Sequence, residues 1–400
     1  MILDTLAKLT EHFNTEQLTI TAERCLNARF KKADCHICAD ACPVEAIHLD
    51  DQSVRLDPEA CASCGACVWQ CPTEVFAQPH SSRTKLDETV RVVGVVPIEL
   101  RCPQNTSNTT TIPEVTIIQQ PHCLADLSPS RLIELAADRQ VWLNDQACAA
   151  CPIGEAQTSI ARAVNEANRW RAVFNHLRQI HLLTTDGDRL ARPHIAPIFD
   201  SANPPADRRA FFGFLKKALA ETGATVSEQP NPDDQPVPVN QRLPQRVPRE
   251  RQNLLTALGT LGQPQDVPLN LPRVSIEAEN CTACGLCAKF CPTGSIRFQA
   301  NGEHFDLDFI PAACIDCNLC VLACPTQAVA LTHETEPSRF IRLTATLLSE
   351  GDLAPCSVCK KPTATHAGEA RCEVCRALPN QQTLTSDLFA SLFRSQANHS

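Results

Sequence analysis

The chain has 400 residues, 43% of them hydrophobic, and a formal net charge of −9. That acidity excludes the basic footprint of a nucleic-acid binder, and a chain of this length with 24 cysteines is not a secreted disulfide scaffold, usually under about 100 residues. No run of about 18 apolar residues is present, so no membrane span is expected.

Residues 1–22 read as a helix at 3–13 followed by a short strand at 18–20. Asp4, Lys8, Glu11 and His12 break up the apolar character that a secretory leader needs, so none is expected. Residues 23–85 run cysteines, strand, turn, strand, cysteines. Cys35, Cys38 and Cys42 precede Pro43, strands are expected at 46–49 and 54–56 around Asp50-Asp51-Gln52, and Cys61, Cys64, Cys67 and Cys71 precede Pro72.

Residues 86–225 alternate in type. Buried strands are expected at 90–100, 115–118, 141–143 and 180–183, with helices at 127–139 and 155–177. Ser128 is placed to cap the first helix and Pro129 to start it. Such alternation implies a parallel sheet covered by helices. Residues 226–272 form a proline-rich linker and a short helix at 251–261. Residues 273–335 then repeat the earlier plan: Cys281, Cys284, Cys287 and Cys291, strands at 295–298 and 305–307 around Asn301-Gly302, then Cys314, Cys317, Cys320 and Cys324. Residues 336–400 hold a helix, the pairs Cys356/Cys359 and Cys372/Cys375, and a weakly ordered tail from 378.

Three of these runs fit C-x2-C-x2-C-x3-C-P without exception, and the fourth lacks only its first cysteine. They resemble the binding runs of two-cluster bacterial ferredoxins. In that pattern three thiolates wrap one [4Fe–4S] cube and the cysteine before proline reaches the neighbouring cube. The resemblance assigns Cys281, Cys284, Cys287 and Cys324 to one cube, and Cys291, Cys314, Cys317 and Cys320 to another. In the earlier module it assigns Cys42, Cys61, Cys64 and Cys67 to one cube. Cys35, Cys38 and Cys71 belong to the other, but Lys32 stands at the missing position and does not bind iron. Cys25 is the expected substitute, delivered by a longer loop. The alternative is a free Cys25 beside a three-iron cluster or an empty site.

Cys102, Cys123 and the pair Cys148/Cys151 each follow a different expected strand of the middle domain, where ligand-bearing loops of open α/β sheets converge. The stretch 122–156 also resembles the delta subunit of methyl-viologen-reducing hydrogenase, which implies an iron–sulfur cluster exchanging electrons with a disulfide reductase. A [2Fe–2S] centre, a [4Fe–4S] centre, zinc, and unliganded or redox-active thiols all remain open for these four cysteines. Cys356, Cys359, Cys372 and Cys375, as paired C-x2-C knuckles, point to tetrahedral zinc, with a rubredoxin-type iron as the alternative. Lys360-Lys361 and His122 are expected in solvated turns, and His36 on a surface loop.

The fold class expected is α+β: two ferredoxin-like dicluster modules flanking a small parallel α/β domain, with a C-terminal zinc-knuckle tail. The cofactors expected are four [4Fe–4S] clusters, one further Fe–S cluster and zinc. No phosphate-cradling G-x-G-x-x-G or serine–histidine–acid pattern occurs, so no catalytic residue is assigned. The function expected is a cytoplasmic electron carrier within or to a larger oxidoreductase complex. A hydrogenase, a formate or other molybdenum-type dehydrogenase, or a disulfide reductase would be its redox partner. A maturation factor or an Fe–S redox sensor is the alternative.

Overall fold

The computed structural model describes residues 18–377 apart from 51–52, 79–80, 177–179, 186–191, 205–244, 266–269, 334–336, 342–343 and 367. The helix expected at 3–13, most of the linker and the tail from 378 lie outside the described residues. The chain divides into two compact units between residues 267 and 268.

The first unit opens with β1 (Thr19–Ile20), β2 (Ile47–Asp50), β3 (Ser53–Leu56) and β4 (Phe76–Ala77). β2 and β3 pair antiparallel, with Ile47 opposite Leu56, and β1 closes on β4. Between them lie the short helices Leu26–Arg29, Ile37–Asp40 and Ala66–Gln70. One-turn helices are unstable alone. Here they pack through Cys25, Cys38, Cys67 and Cys71 against Ile47, Val54, Val75 and Phe76, so the thiols themselves form much of the core.

The strand expected over 90–100 is corrected by the structure. Its first part ends a helix, Ser81–Val93, and only β5 (Ile98–Arg101) is extended. The valines favour a strand locally. However, buried Leu86 and Thr89 and half-buried Val90 and Val93 recur at helical spacing. Gly94, at φ +78°, then ends the helix, its N–H bonding to Val90 O.

β6 (Thr109–Thr110), β7 (Thr116–Gln119), β8 (Val141–Asn144), β9 (Ile180–Leu182), β10 (His194–Ile195) and β11 (Ile198–Asp200) follow. Five strands form one sheet in the order β11-β7-β5-β8-β9, and every neighbouring pair is parallel. The chain starts at β5, adds β7 on one side and crosses to β8 on the other. The carboxyl ends of β5 and β8 therefore flank a topological switch point. Ile98, Leu100, Ile117, Ile118, Val141 and Leu143 are fully buried, as strands covered on both faces require. Helices Pro129–Leu135 and Ala156–Val173 supply cover through Leu132, Ile133, Ile160, Val164 and Ala167. The Ser128 hydroxyl caps the first of them, accepting from Arg131 N at 3.3 Å. Helix Arg249–Gly259 belongs to this unit as well. Its Glu250 carboxylate accepts from Ser130 N at 3.2 Å and Ser130 Oγ at 2.9 Å.

The second unit contains β12 (Arg273–Ile276), β13 (Ile296–Asn301), β14 (His304–Phe309), β15 (Val329–Thr332), β16 (Thr346–Pro355), β17 (Pro362–His366) and β18 (Glu369–Ala370). β12 pairs with β15 as β1 does with β4, and the β13–β14 hairpin turns at Gly302, φ +65°. The region carrying the last four cysteines is not an appended tail. β16 pairs along β14 and β17 and β18 continue outward, giving a sheet ordered β13-β14-β16-β17-β18. This covers the otherwise open edge of β14 and buries Ala364 in the module's core. Among the described residues, no helix is long and apolar enough to cross a membrane.

Candidate metal centres

Cys25 sits between the turn Ala22–Arg24 and the helix Leu26–Arg29, only 6% exposed. Burial raises the Cys35 thiol, a backbone hydrogen bond at Ile37 offsets part of the rise, and nearby Cys71 and Cys25 add to it. Cys38 is pushed up to about 12 by burial and then by Cys71, Cys35 and Cys25. Those four sulfurs are thus neighbours. A second group forms around Cys67, raised by burial and by Cys64, Cys61, Cys42 and, last, Cys38 of the first group. His36 remains on the surface, 2.9 Å from Asp34 Oδ1.

The second unit repeats the arrangement. Burial pushes Cys287 up to about 12, with Cys284, Cys281 and Cys324 adding to it. Cys320 is raised by burial, then by Cys314, Cys317 and Cys291. Cys291, Cys314, Cys317 and Cys320 also line a cavity closed by Val274, Ile296, Phe309 and Leu331. In each module, then, the cysteine before proline lies with the three cysteines of the other run.

Buried thiols that suppress one another's ionisation stay protonated until a cation compensates them. Soft thiol donors in fours around an apolar cavity fit iron–sulfur chemistry and not a hard oxygen-seeking cation. Backbone N–H groups point at several sulfurs: Ala46 N to Cys42 Sγ at 3.3 Å, Val75 N to Cys71 Sγ at 3.4 Å and Ala328 N to Cys324 Sγ at 3.2 Å. Thr73, Thr293 and Thr326 hydroxyls lie 3.8, 3.6 and 3.7 Å from Cys71, Cys291 and Cys324. Such donors stabilise thiolate charge and tune a bound cluster.

In the middle domain Cys102 follows β5, Cys123 follows β7, and Cys148 and Cys151 follow β8. The three loops therefore meet at the carboxyl edge of the sheet. Burial raises Cys148 to about 11, with Cys102, Asp145 and Cys151 adding to it. Burial raises Cys123 to about 12; a backbone bond at Ala125 offsets part, and Cys64 and Cys102 add. A buried network fixes the end of β5. Glu99 accepts from Arg101 Nε at 2.6 Å, Asn144 Nδ2 at 2.7 Å and Thr110 Oγ1 at 2.5 Å. The Gln119 amide donates to Cys102 O at 2.6 Å. Gly154 is a site residue that spacing alone does not single out. A Cβ there would meet Cys148 O at 2.5 Å, so only glycine lets the chain fold back over that pair. Its one visible signal is a lone glycine between Cys151-Pro152 and the start of a helix.

Among the described residues, Cys356, Cys359, Cys372 and Cys375 are the only all-cysteine group whose sulfurs all lie within 4.8 Å of one another. One tetrahedral ion with bonds near 2.3 Å sets its sulfurs about 3.8 Å apart, so this group suits a single ion and the other five are more open. Burial opposes ionisation of Cys356, yet backbone N–H groups at Cys359, Cys372 and Val358 outweigh it and lower the thiol to about 6. Lys360 and Lys361 are exposed, as expected, and Lys361 also makes an ion pair. Its Nζ is 2.7 Å from Oε1 of Glu373, a carboxylate 8% exposed. Glu373 Oε2 accepts from Thr282 Oγ1 at 3.5 Å, and Thr282 O accepts from Thr363 Oγ1 at 2.9 Å and Ala364 N at 3.1 Å. The knuckle is thereby bonded to the residue after Cys281.

A family model described as a 4Fe–4S dicluster domain matches residues 31–75 and 280–328. A 7Fe ferredoxin from Hydrogenibacillus schlegelii is 43% identical over 39 residues, 10% of this chain and 50% of that one. A ferredoxin from Alicyclobacillus acidocaldarius subsp. acidocaldarius is 40% identical over 48 residues, 12% of this chain and 58% of that one. A ferredoxin from Streptomyces griseus is 33% identical over 57 residues, 14% and 50%. The chain thus spans about half the length of these relatives, and it carries two 4Fe–4S dicluster domains of ferredoxin type, which point to iron–sulfur electron transfer.

Proposed function

We propose that this chain is a polyferredoxin that relays single electrons within or to a larger oxidoreductase complex. Cys25, Cys35, Cys38 and Cys71 hold one [4Fe–4S] cluster, and Cys42, Cys61, Cys64 and Cys67 a second. Cys281, Cys284, Cys287 and Cys324 hold a third, and Cys291, Cys314, Cys317 and Cys320 a fourth. When bound, such clusters supply one-electron chemistry over a wide range of potentials. Cys102, Cys123, Cys148 and Cys151 hold a further iron–sulfur centre, because their loops meet without closing to single-ion distances and because residues 122–156 resemble a hydrogenase delta subunit. Cys356, Cys359, Cys372 and Cys375 hold zinc. The name of the 7Fe relative raises a three-iron centre as the alternative for the site that lacks a cysteine at Lys32, and Cys25 is the residue that decides between them.

One observation carries this reading: in both modules the cysteine before proline is grouped with the opposite run. A net charge of −9, before any cluster is counted, favours docking on a positively charged patch of a redox protein such as a hydrogenase, a molybdenum-type dehydrogenase or a disulfide reductase. The test is anaerobic purification with iron analysis and a redox titration followed by electron paramagnetic resonance. At least about 16 iron atoms per chain, four for each of four cubes, and reversible reduction are expected. A content nearer eight, or clusters that no redox partner reduces, would overturn the relay.

A further inference from the structure

We infer that Gly65, assisted by Trp69, is a positioning residue that holds the Cys102/Cys123/Cys148/Cys151 centre in direct electron exchange with the Cys42/Cys61/Cys64/Cys67 centre. The inference rests on the relay proposed above. Gly65 follows Cys64 and precedes the helix Ala66–Gln70, which carries Cys67. A Cβ on Gly65 would lie 2.5 Å from Asp126 Cβ, 2.8 Å from Nε2 at the flexible end of Gln78, and 3.0 Å from Asp126 Cα. Asp126 ends the turn Leu124–Asp126, whose N-cap is Cys123. The backbone beside one cysteine is thus pressed against the turn that presents another.

The left-handed backbone at Gly65 does not by itself require glycine. The equivalent positions in the other two complete runs are Gly285 and Asn318, with φ of 69° and 60° against 78° at Gly65. Asn318 holds the same conformation with a full side chain. At Gly285 a Cβ would meet a ring of its own module, Phe298 Cδ1 at 2.8 Å. Only at Gly65 does the missing side chain admit the middle domain.

Other bonds lock the approach. Trp69 Nε1 donates to Ala125 O at 2.9 Å, Gln70 Nε2 donates to Ser159 Oγ at 2.9 Å, and Arg162 Nη1 donates to Gln70 Oε1 at 3.0 Å. Leu124, Ala125 and Leu127 are buried around the contact, which excludes water and lowers the reorganisation that accompanies a charge shift. The step is a transfer of one electron: the donor centre is oxidised by one unit and the acceptor reduced by one, with no bond made or broken.

The test uses the full-length, anaerobically purified chain and the variants Gly65→Ala, Trp69→Phe and Gly65→Ala with Asp126→Gly. The readouts are iron per chain and the magnetic interaction between the two reduced centres in electron paramagnetic spectra. The wild type is expected to show a split or broadened signal that Cys148→Ser abolishes. Gly65→Ala should lose the splitting while retaining its iron, and Asp126→Gly should restore it. If Gly65→Ala loses iron by misfolding, Trp69→Phe, which removes the indole N–H that bonds Ala125 O and keeps an aromatic ring, should still weaken the splitting. Full splitting in both variants, or none in a wild type with both sites loaded, overturns the inference while leaving the relay intact. A wild type with no iron at these sites overturns the relay itself.

Discussion

Asn27 and Cys35 exchange two hydrogen bonds, Asn27 Nδ2 to Cys35 O at 3.0 Å and Cys35 N to Asn27 Oδ1 at 2.8 Å. This clamp closes the loop that replaces the short step of a complete run, and it brings Cys25, ten residues upstream, beside Cys35 and Cys38. Replacing Cys25 with Ala is therefore expected to convert one N-terminal cube into a three-iron centre, seen as a new oxidised-state resonance. Asn27→Ala, which leaves the ligands intact and removes about 1–3 kcal/mol of buried hydrogen bonding, should yield the same signal in part. A wild type already showing that resonance in full would remove Cys25 from the ligand set.

Cys148→Ser should lower the iron content and leave the spectra of both dicluster modules unchanged. The loss should be larger than for Glu99→Gln, which weakens the buried network behind Cys102 without touching a sulfur. Metal analysis of the two variants checks this. Zinc lost with iron unchanged would make the middle domain a structural spacer.

One zinc per chain is expected at the knuckle, removable by Cys356→Ser. Glu373→Gln should keep the zinc and shift one C-terminal cluster to higher potential. The sign follows from removing a negative charge that touches Thr282 and acts on Cys284. Lys361→Met should shift it the opposite way and, because Lys361 is half exposed and Glu373 keeps its bond from Thr282, destabilise the second unit by no more than about 1 kcal/mol. Potentiometric titration of the C-terminal signals decides; identical potentials in all three proteins would disconnect the knuckle from the cluster.

Glu250 supplies a pH dependence. Burial raises its carboxyl from 4.5 to about 7, against hydrogen bonds from Ser130 and Ser128 that lower it. Because the folded value lies above the unfolded one, its contribution is complete below 4.5 and is lost as pH rises through about 7. Thermal inactivation of the wild type between pH 5.5 and 8 should therefore accelerate more steeply than that of Glu250→Gln. Parallel pH profiles for the two proteins would refute the assignment.

The sequence carried more of the ligand chemistry than of the architecture. Spacings of three residues fix which thiols a single loop offers, because a turn of that length leaves the backbone few conformations. The proline after each final cysteine marks where the chain leaves the loop. The parallel sheet was legible for a similar reason, since strands buried on both faces carry mostly apolar, β-branched or aromatic runs such as 115–118 and 141–143. The valines at 90–96 misled because β-branched residues favour strands only weakly, and contacts along one face at Leu86 and Thr89 outweighed that preference.

What the sequence determined by itself was therefore local: four cysteine runs, a strand end behind each middle cysteine, and a pair of C-x2-C knuckles. Tertiary structure alone decided which of these sites meet. That Asp126 presses on Gly65, that β16 joins the edge of β14, and that Glu373 reaches Thr282 are contacts between residues tens of positions apart. No spacing rule encodes them. They follow from burying apolar faces and satisfying polar groups across the whole chain at once, which fixes distances between centres that local geometry leaves free.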